Sequence, residues 1–385
     1  ILLPLALALA AAALPAQKGG GRIEVAVDPR GELMSIIFRL AGNREYNMAN
    51  SRSPYARAVQ QHFGGFAGHP VVARAARLRR TRGVSYDAVM SMAMHISDTR
   101  RMKEIIPFDR KPERLDRRWP LQEARRFLEE ARDFAAESGF NAFFRSHAAL
   151  HAKAAARMRK VLARRPYVSW FDSFFGARRR AKFRLSPGLL LGGACYGVGI
   201  RHPAGKEVIH PVIGVWKFDK KGMPLFDDSI AGTVAHELCH SYTNPIVDRH
   251  AEKLRAAGEK VFATCSDRMR RMAYGNWKTM IYESLVRACV VRYIAATGTE
   301  KERAAEVERQ HRKGFRWVGE LAELLEDYEG ARKKYRRFDD FMPRVIAFFD
   351  TYAGRLEDLA AKRPQVVSMT PANGAAGVDP GRTEI

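Results

Sequence analysis

Apolar positions recur along most of this chain at the three-to-four-residue spacing of helices, with two regions of strand-like texture. Arg22 to Asp28 (R-I-E-V-A-V-D) alternates and predicts a strand. The stretch from Gly31 to Gly42 carries apolar residues at helical spacing, and 43–53 is polar and loop-like. Further helices are expected near 55–63, 71–80, 84–96, 120–137 and 139–164. Over 181–219 the texture changes to Gly, β-branched and aromatic residues, which predicts two or three strands with a turn at 201–206. Helices resume over about 246–257, 259–272, 276–297, 300–328 and 337–356. The expected fold class is α+β, mainly helical, with a small sheet beside one central helix and a single domain over 22–360.

That central helix carries the chemistry. Asp227, Asp228 and Ser229 offer N-caps, Ile230, Val234, Ala235 and Leu238 give an apolar side, and Asn244-Pro245 is expected to end it. Within it stands His236-Glu237-Leu238-Cys239-His240, an H-E-x-x-H pattern. Residues four apart on a helix lie one above the other, so both imidazoles can reach one metal ion. Glu237 sits about 100° round the helix, placed to act as general base rather than as ligand.

A catalytic Zn²⁺ site needs a third protein ligand. The metzincin extension would put a histidine at position 246, which is Ile246, so that class is excluded. Glu283 is the best candidate: it lies on an otherwise apolar helix, flanked by Met280, Ile281, Leu285 and Val286, where a carboxylate needs a partner. Glu252, Glu259 and Asp267 lie in charged, solvent-like stretches. Arg287, one turn after Glu283, could orient it, form an ion pair with it, or bind a substrate carboxylate. Tyr196 and Tyr274 are candidates to stabilise an oxyanion. His95 with Asp98 reads as a structural pair, and His210 as a half-buried strand residue.

Composition narrows the setting. The 385 residues include 66 Lys+Arg against 42 Asp+Glu, a net charge of +24 that favours anionic partners such as cell-wall or surface polymer. The basic residues are dispersed on helices, and no specific nucleic-acid module is visible. Ile1 to Leu14 is almost wholly Leu and Ala and is followed by small residues, so 1–16 reads as a signal peptide without its charged start. No other segment reaches transmembrane length. The expected location is therefore secreted, periplasmic or cell-surface. Cys195, Cys239, Cys265 and Cys289 are too few for a disulfide scaffold, and their pairing is open.

The E-L-M-S-I-I-F-R-L-A-G-N-R-E-Y-N opening, H-F-G-G-F-A-G-H-P-V-V, G-V-S-Y-D-A-V-M and H-E-L-C-H-S-Y-T-N-P together resemble an uncharacterised bacterial family filed as a domain of unknown function. The resemblance covers about residues 25–355, and its members look like secreted zinc-dependent peptidases. Resemblance to Glu-zincins in general implies His236, His240 and Glu283 as zinc ligands and Glu237 as base. From Pro364, P-A-N-G-A-A-G-V-D-P-G-R-T-E-I resembles the start of a bacterial Ig-like domain of the SbsA type, so 364–385 reads as its truncated beginning. The expected function is a secreted zinc metallopeptidase that hydrolyses peptide bonds through a zinc-bound water. The alternative is a non-enzymatic surface or cell-wall-binding protein on the same scaffold.

Overall fold

The computed structural model describes residues 23–49 and 53–361; the signal peptide expected over 1–16 and the Ig-like start expected over 364–385 lie outside them. The first half holds a two-residue strand β1 (Glu24–Val25) and helices α1 (Pro29–Leu40), α2 (Pro54–Phe63), α3 (Pro70–Arg82), α4 (Asp87–His95), α5 (Leu121–Glu137), α6 (Phe140–Ser146), α7 (Ala148–Leu162) and α8 (Tyr167–Phe175). Three strands follow: β2 (Ala181–Gly188), β3 (Cys195–Arg201) and β4 (Glu207–Gly214). The second half is helical: α9 (Ala231–Arg249), α10 (Ala251–Arg271), α11 (Trp277–Thr297), α12 (Glu300–Arg312), α13 (Val318–Gly330) and α14 (Phe338–Ala361). The protein is thus mainly helical with one small mixed sheet, as the α+β expectation has it.

The sheet runs in the order β1-β2-β4-β3, with β1, β2 and β4 parallel and β3 antiparallel to β4. Side chains alternate across a sheet, and here each face serves a different core. Phe183, Leu185, Ile209 and Ile213 pack with residues from α7 to α14. Tyr196, Val198 and Val212 pack with residues from α1 to α7. Helix α9 lies against β3 on the first of these faces. A Cβ on Gly197 would fall 2.4 Å from the Glu237 carbonyl oxygen and 3.2 Å from His240 Cβ. Only glycine lets the strand pass this close to the helix.

Several boundaries differ from expectation for identifiable reasons. The helix expected over 139–164 is two, broken at His147, whose Nδ1 bonds the Phe143 carbonyl (2.9 Å). The break expected at Gly258 is absent: α10 runs through it, and a Cβ there would meet Trp277 Cε3 of α11 at 2.7 Å. That glycine serves helix packing rather than termination. The helix expected over 300–328 is divided between α12 and α13, where Gly314 takes φ +98°. Helix α8 is not foreseen, because Y-V-S-W-F-D-S-F-F is too uniformly apolar to show one stripe.

The largest correction concerns Pro245, which does not end α9. A proline inside a helix withdraws the N–H that would bond the carbonyl four residues back, here Ser241. That carbonyl instead accepts from Arg114 Nη2 (3.2 Å) and Arg178 Nη2 (3.0 Å). Buried Glu207 holds both guanidinium groups in place. Two arginines distant in sequence thus replace the bond the proline removes.

Candidate metal centre

Helix α9 begins after a short 3₁₀ turn over Asp228–Ile230, in which the Asp227 carboxylate accepts from the Ser229 N–H (3.0 Å). Two turns on, His236 and His240 project together, their Nε2 atoms 3.2 Å apart. Glu283 reaches them from α11: Oε2 is 3.5 Å from His236 Nε2 and Oε1 is 3.5 Å from His240 Nε2. Suitable ligand atoms of the three residues all lie within 4.8 Å of one another. His240 Nδ1 faces Asn244 Oδ1 at 3.3 Å. An amide oxygen accepts, so Asn244 can hold a proton on Nδ1 and leave Nε2 as the nitrogen that faces the triad. Burial, then the neighbouring His240, pushes His236 well below the usual histidine range, which keeps it neutral. Two imidazoles and a carboxylate converging on one point fit a divalent ion of zinc type.

Glu237 is buried beside the triad. Burial lifts its carboxyl to about 7, against the opposing effect of His240 and with a further push from Glu283. The triad is tied to its surroundings by Arg287. Its Nη2 donates to Glu283 Oε2 (2.7 Å) and to the Tyr274 hydroxyl (2.9 Å), and its Nη1 donates to Gln310 Oε1 (2.6 Å). The guanidinium also lies over the Phe315 ring, 4.4 Å from its centroid. The ion pair expected of Glu283 and Arg287 is therefore present, and the same carboxylate faces both imidazoles.

Residues 23–348 match the model of a family described as a domain of unknown function, DUF4932. The chain belongs to this family. The match covers nearly the whole span over which the sequence resembles an uncharacterised bacterial family. No curated protein and no solved structure matches the chain.

In this DUF4932 chain His236 of the triad lines a cavity of about 280 Å³, together with Thr233, Glu237, Tyr274 and Arg287 among others. Of the two tyrosines considered for the site, Tyr274 lines this cavity and Tyr196 does not. Strand parity explains the difference: Gly197 of β3 faces α9, and Tyr196 faces the opposite core, where it stacks on Tyr46 with centroids 6.2 Å apart. Cys195 also lines the cavity; Cys239 and Cys289 are fully buried, and all four cysteines are free thiols. His95 does not pair with Asp98: it bonds the Ser91 carbonyl (2.7 Å), while Asp98 caps Arg100 and Arg101. His210 is buried and bonds Ser186 Oγ (2.7 Å).

Part of the cavity wall comes from α12, which the sequence reading passed over. Gln310 takes the Arg287 bond and donates to Glu306, and Arg309 pairs with the other Glu306 oxygen. Glu306 and Gln310 are 5% and 2% exposed on an otherwise solvated helix. Lys313, at the end of the same face, completes the wall. Partial burial, then Arg287 and Arg309, hold its ammonium down to about 8. The usable signal was the spacing 306, 309, 310, 313, one helix stripe with no apolar residue in it.

Proposed function

We propose that this protein is a metal-dependent hydrolase of peptide bonds, with zinc held by His236, His240 and Glu283. The observation that carries the reading is the convergence of two imidazole nitrogens and one carboxylate, each imidazole–carboxylate contact at 3.5 Å, with buried Glu237 alongside. When bound, zinc supplies a Lewis acid and makes water acidic enough to lose a proton near neutral pH. Glu237 accepts that proton and returns it to the leaving amine, a role worth about 10²–10⁴-fold in rate. Tyr274 presents a hydroxyl from the cavity wall, and Arg287 fixes the orientation of Glu283. The apolar run over 2–14, followed by small residues, supports export of the chain.

The test is hydrolysis of a peptide mixture by the zinc-loaded protein and by its Glu237→Gln variant. The reading expects zinc retained in both and turnover at least about 100-fold lower in the variant. The rival reading, a non-enzymatic binder of anionic surface polymer, draws on the +24 charge. It expects no turnover in either protein and unchanged polymer binding, and that result would displace the hydrolase.

A further inference from the structure

The cations of the cavity are not equally engaged. Arg287 is consumed by Glu283, Tyr274 and Gln310. Arg309 pairs with Glu306, yet its side chain keeps 42% exposure. Its head is close to the triad: a Cβ on Gly232, one turn before His236, would lie 3.3 Å from Arg309 Nη2. Lys313 lines the same cavity, and among the described residues its ammonium has neither a side-chain hydrogen bond nor an ion pair. The nearest anions, Glu283 and Glu306, already have their own guanidinium partners. A cavity lined by His236 of the triad and by the unspent positive charge of Lys313 is complementary to a substrate that carries an anion beside its scissile bond.

We propose that Lys313, assisted by Arg309, binds a substrate carboxylate next to the metal-held carbonyl, so that the preferred substrates are peptides with a free carboxylate at that position. This rests on the hydrolase reading and narrows it to a substrate class. The carboxylate is either the peptide's own terminus or an acidic side chain. Lys313 is the specificity residue, because a carboxylate there meets an ammonium with no competing partner. Arg287, the other basic residue near Glu283, is committed to positioning that ligand.

The experiment uses the full chain loaded with zinc, its metal content measured before any ligand is added. The probes are ω-mercapto-carboxylic acids of increasing chain length and the matching primary amides, whose thiolate binds zinc equally in each pair. Binding is followed by calorimetry in the parent, Lys313→Gln and Lys313→Arg proteins. At the length that spans the cavity the acid is expected to bind about tenfold more tightly than the amide. Lys313→Gln should remove most of that preference and Lys313→Arg should keep it. Equal binding of acid and amide at every length by zinc-loaded protein overturns this proposal alone. Absence of zinc overturns the hydrolase reading, and this proposal with it. Peptide pairs then separate the two sources: a free terminus against its amide, and a glutamate side chain against glutamine with the terminus amidated. Preference within one pair identifies the source, and indifference in both overturns the proposal.

Discussion

Helices α11 and α12 pack on each other beside one cavity and are opposite in composition. Helix α11 is buried nearly all round, and Glu283 and Arg287 are its ionic exceptions beside the two histidines. Helix α12 is mostly charged and solvent-facing, and its buried exceptions are Glu306 and Gln310. The hydrogen bonds join them in series from Glu283 through Arg287 and Gln310 to Glu306. The comparison teaches that a site is recognised by contrast with its helix. A carboxylate among leucines and valines stands out, whereas a glutamate among arginines and glutamates does not.

If the two helices form one network, breaking it at α11 should cost most. Arg287→Leu leaves the Glu283 carboxylate buried without its guanidinium, and the metal-free protein should lose about 3–5 kcal/mol in denaturant unfolding. A loss below about 1 kcal/mol would mean that the pair does not stabilise the helix contact. Gln310→Leu tests the α12 end. It removes the acceptor of Arg287 Nη1 and should cost about 1–3 kcal/mol. It should also weaken zinc binding about tenfold, as loss of an outer partner does. Unchanged zinc affinity would confine the network to α11.

Ser284→Ala sharpens the comparison within α11. Ser284 accepts from Trp317 Nε1 (2.9 Å) on the core side, away from Glu283. Its loss should lower stability by about 1 kcal/mol with zinc affinity unchanged. A fall in zinc affinity would show that the two faces of α11 are coupled. The smallest effect is expected from Arg312→Leu, on the exposed face of α12, which should fall within about 0.5 kcal/mol of the parent. A larger loss would show that the solvated side of α12 also carries structure.

Much of the fold was readable because helix periodicity is local. The H-E-x-x-H face needs only a four-residue spacing, and Glu283 needs only its apolar neighbours. What escaped was decided at long range. Pro245 lies within α9 because Arg114 and Arg178, far away in sequence, satisfy the carbonyl of Ser241. Gly258 reads as a stop until Trp277 is seen against it. Tyr196 and its neighbour Gly197 face opposite cores by strand parity, which the short Gly-rich strand does not advertise. The role of α12 was hidden by its own charge, since Glu306 and Gln310 become buried only when α11 packs on them.

The central claim is that His236, His240 and Glu283 form a zinc site. The most direct measurement is bound zinc per chain, by elemental analysis, in the purified protein and its Glu283→Gln variant. The account predicts near-stoichiometric zinc in the parent and a large loss in the variant. Equal zinc in both would contradict Glu283 as the third ligand, and no zinc in the parent after reconstitution would contradict the site itself.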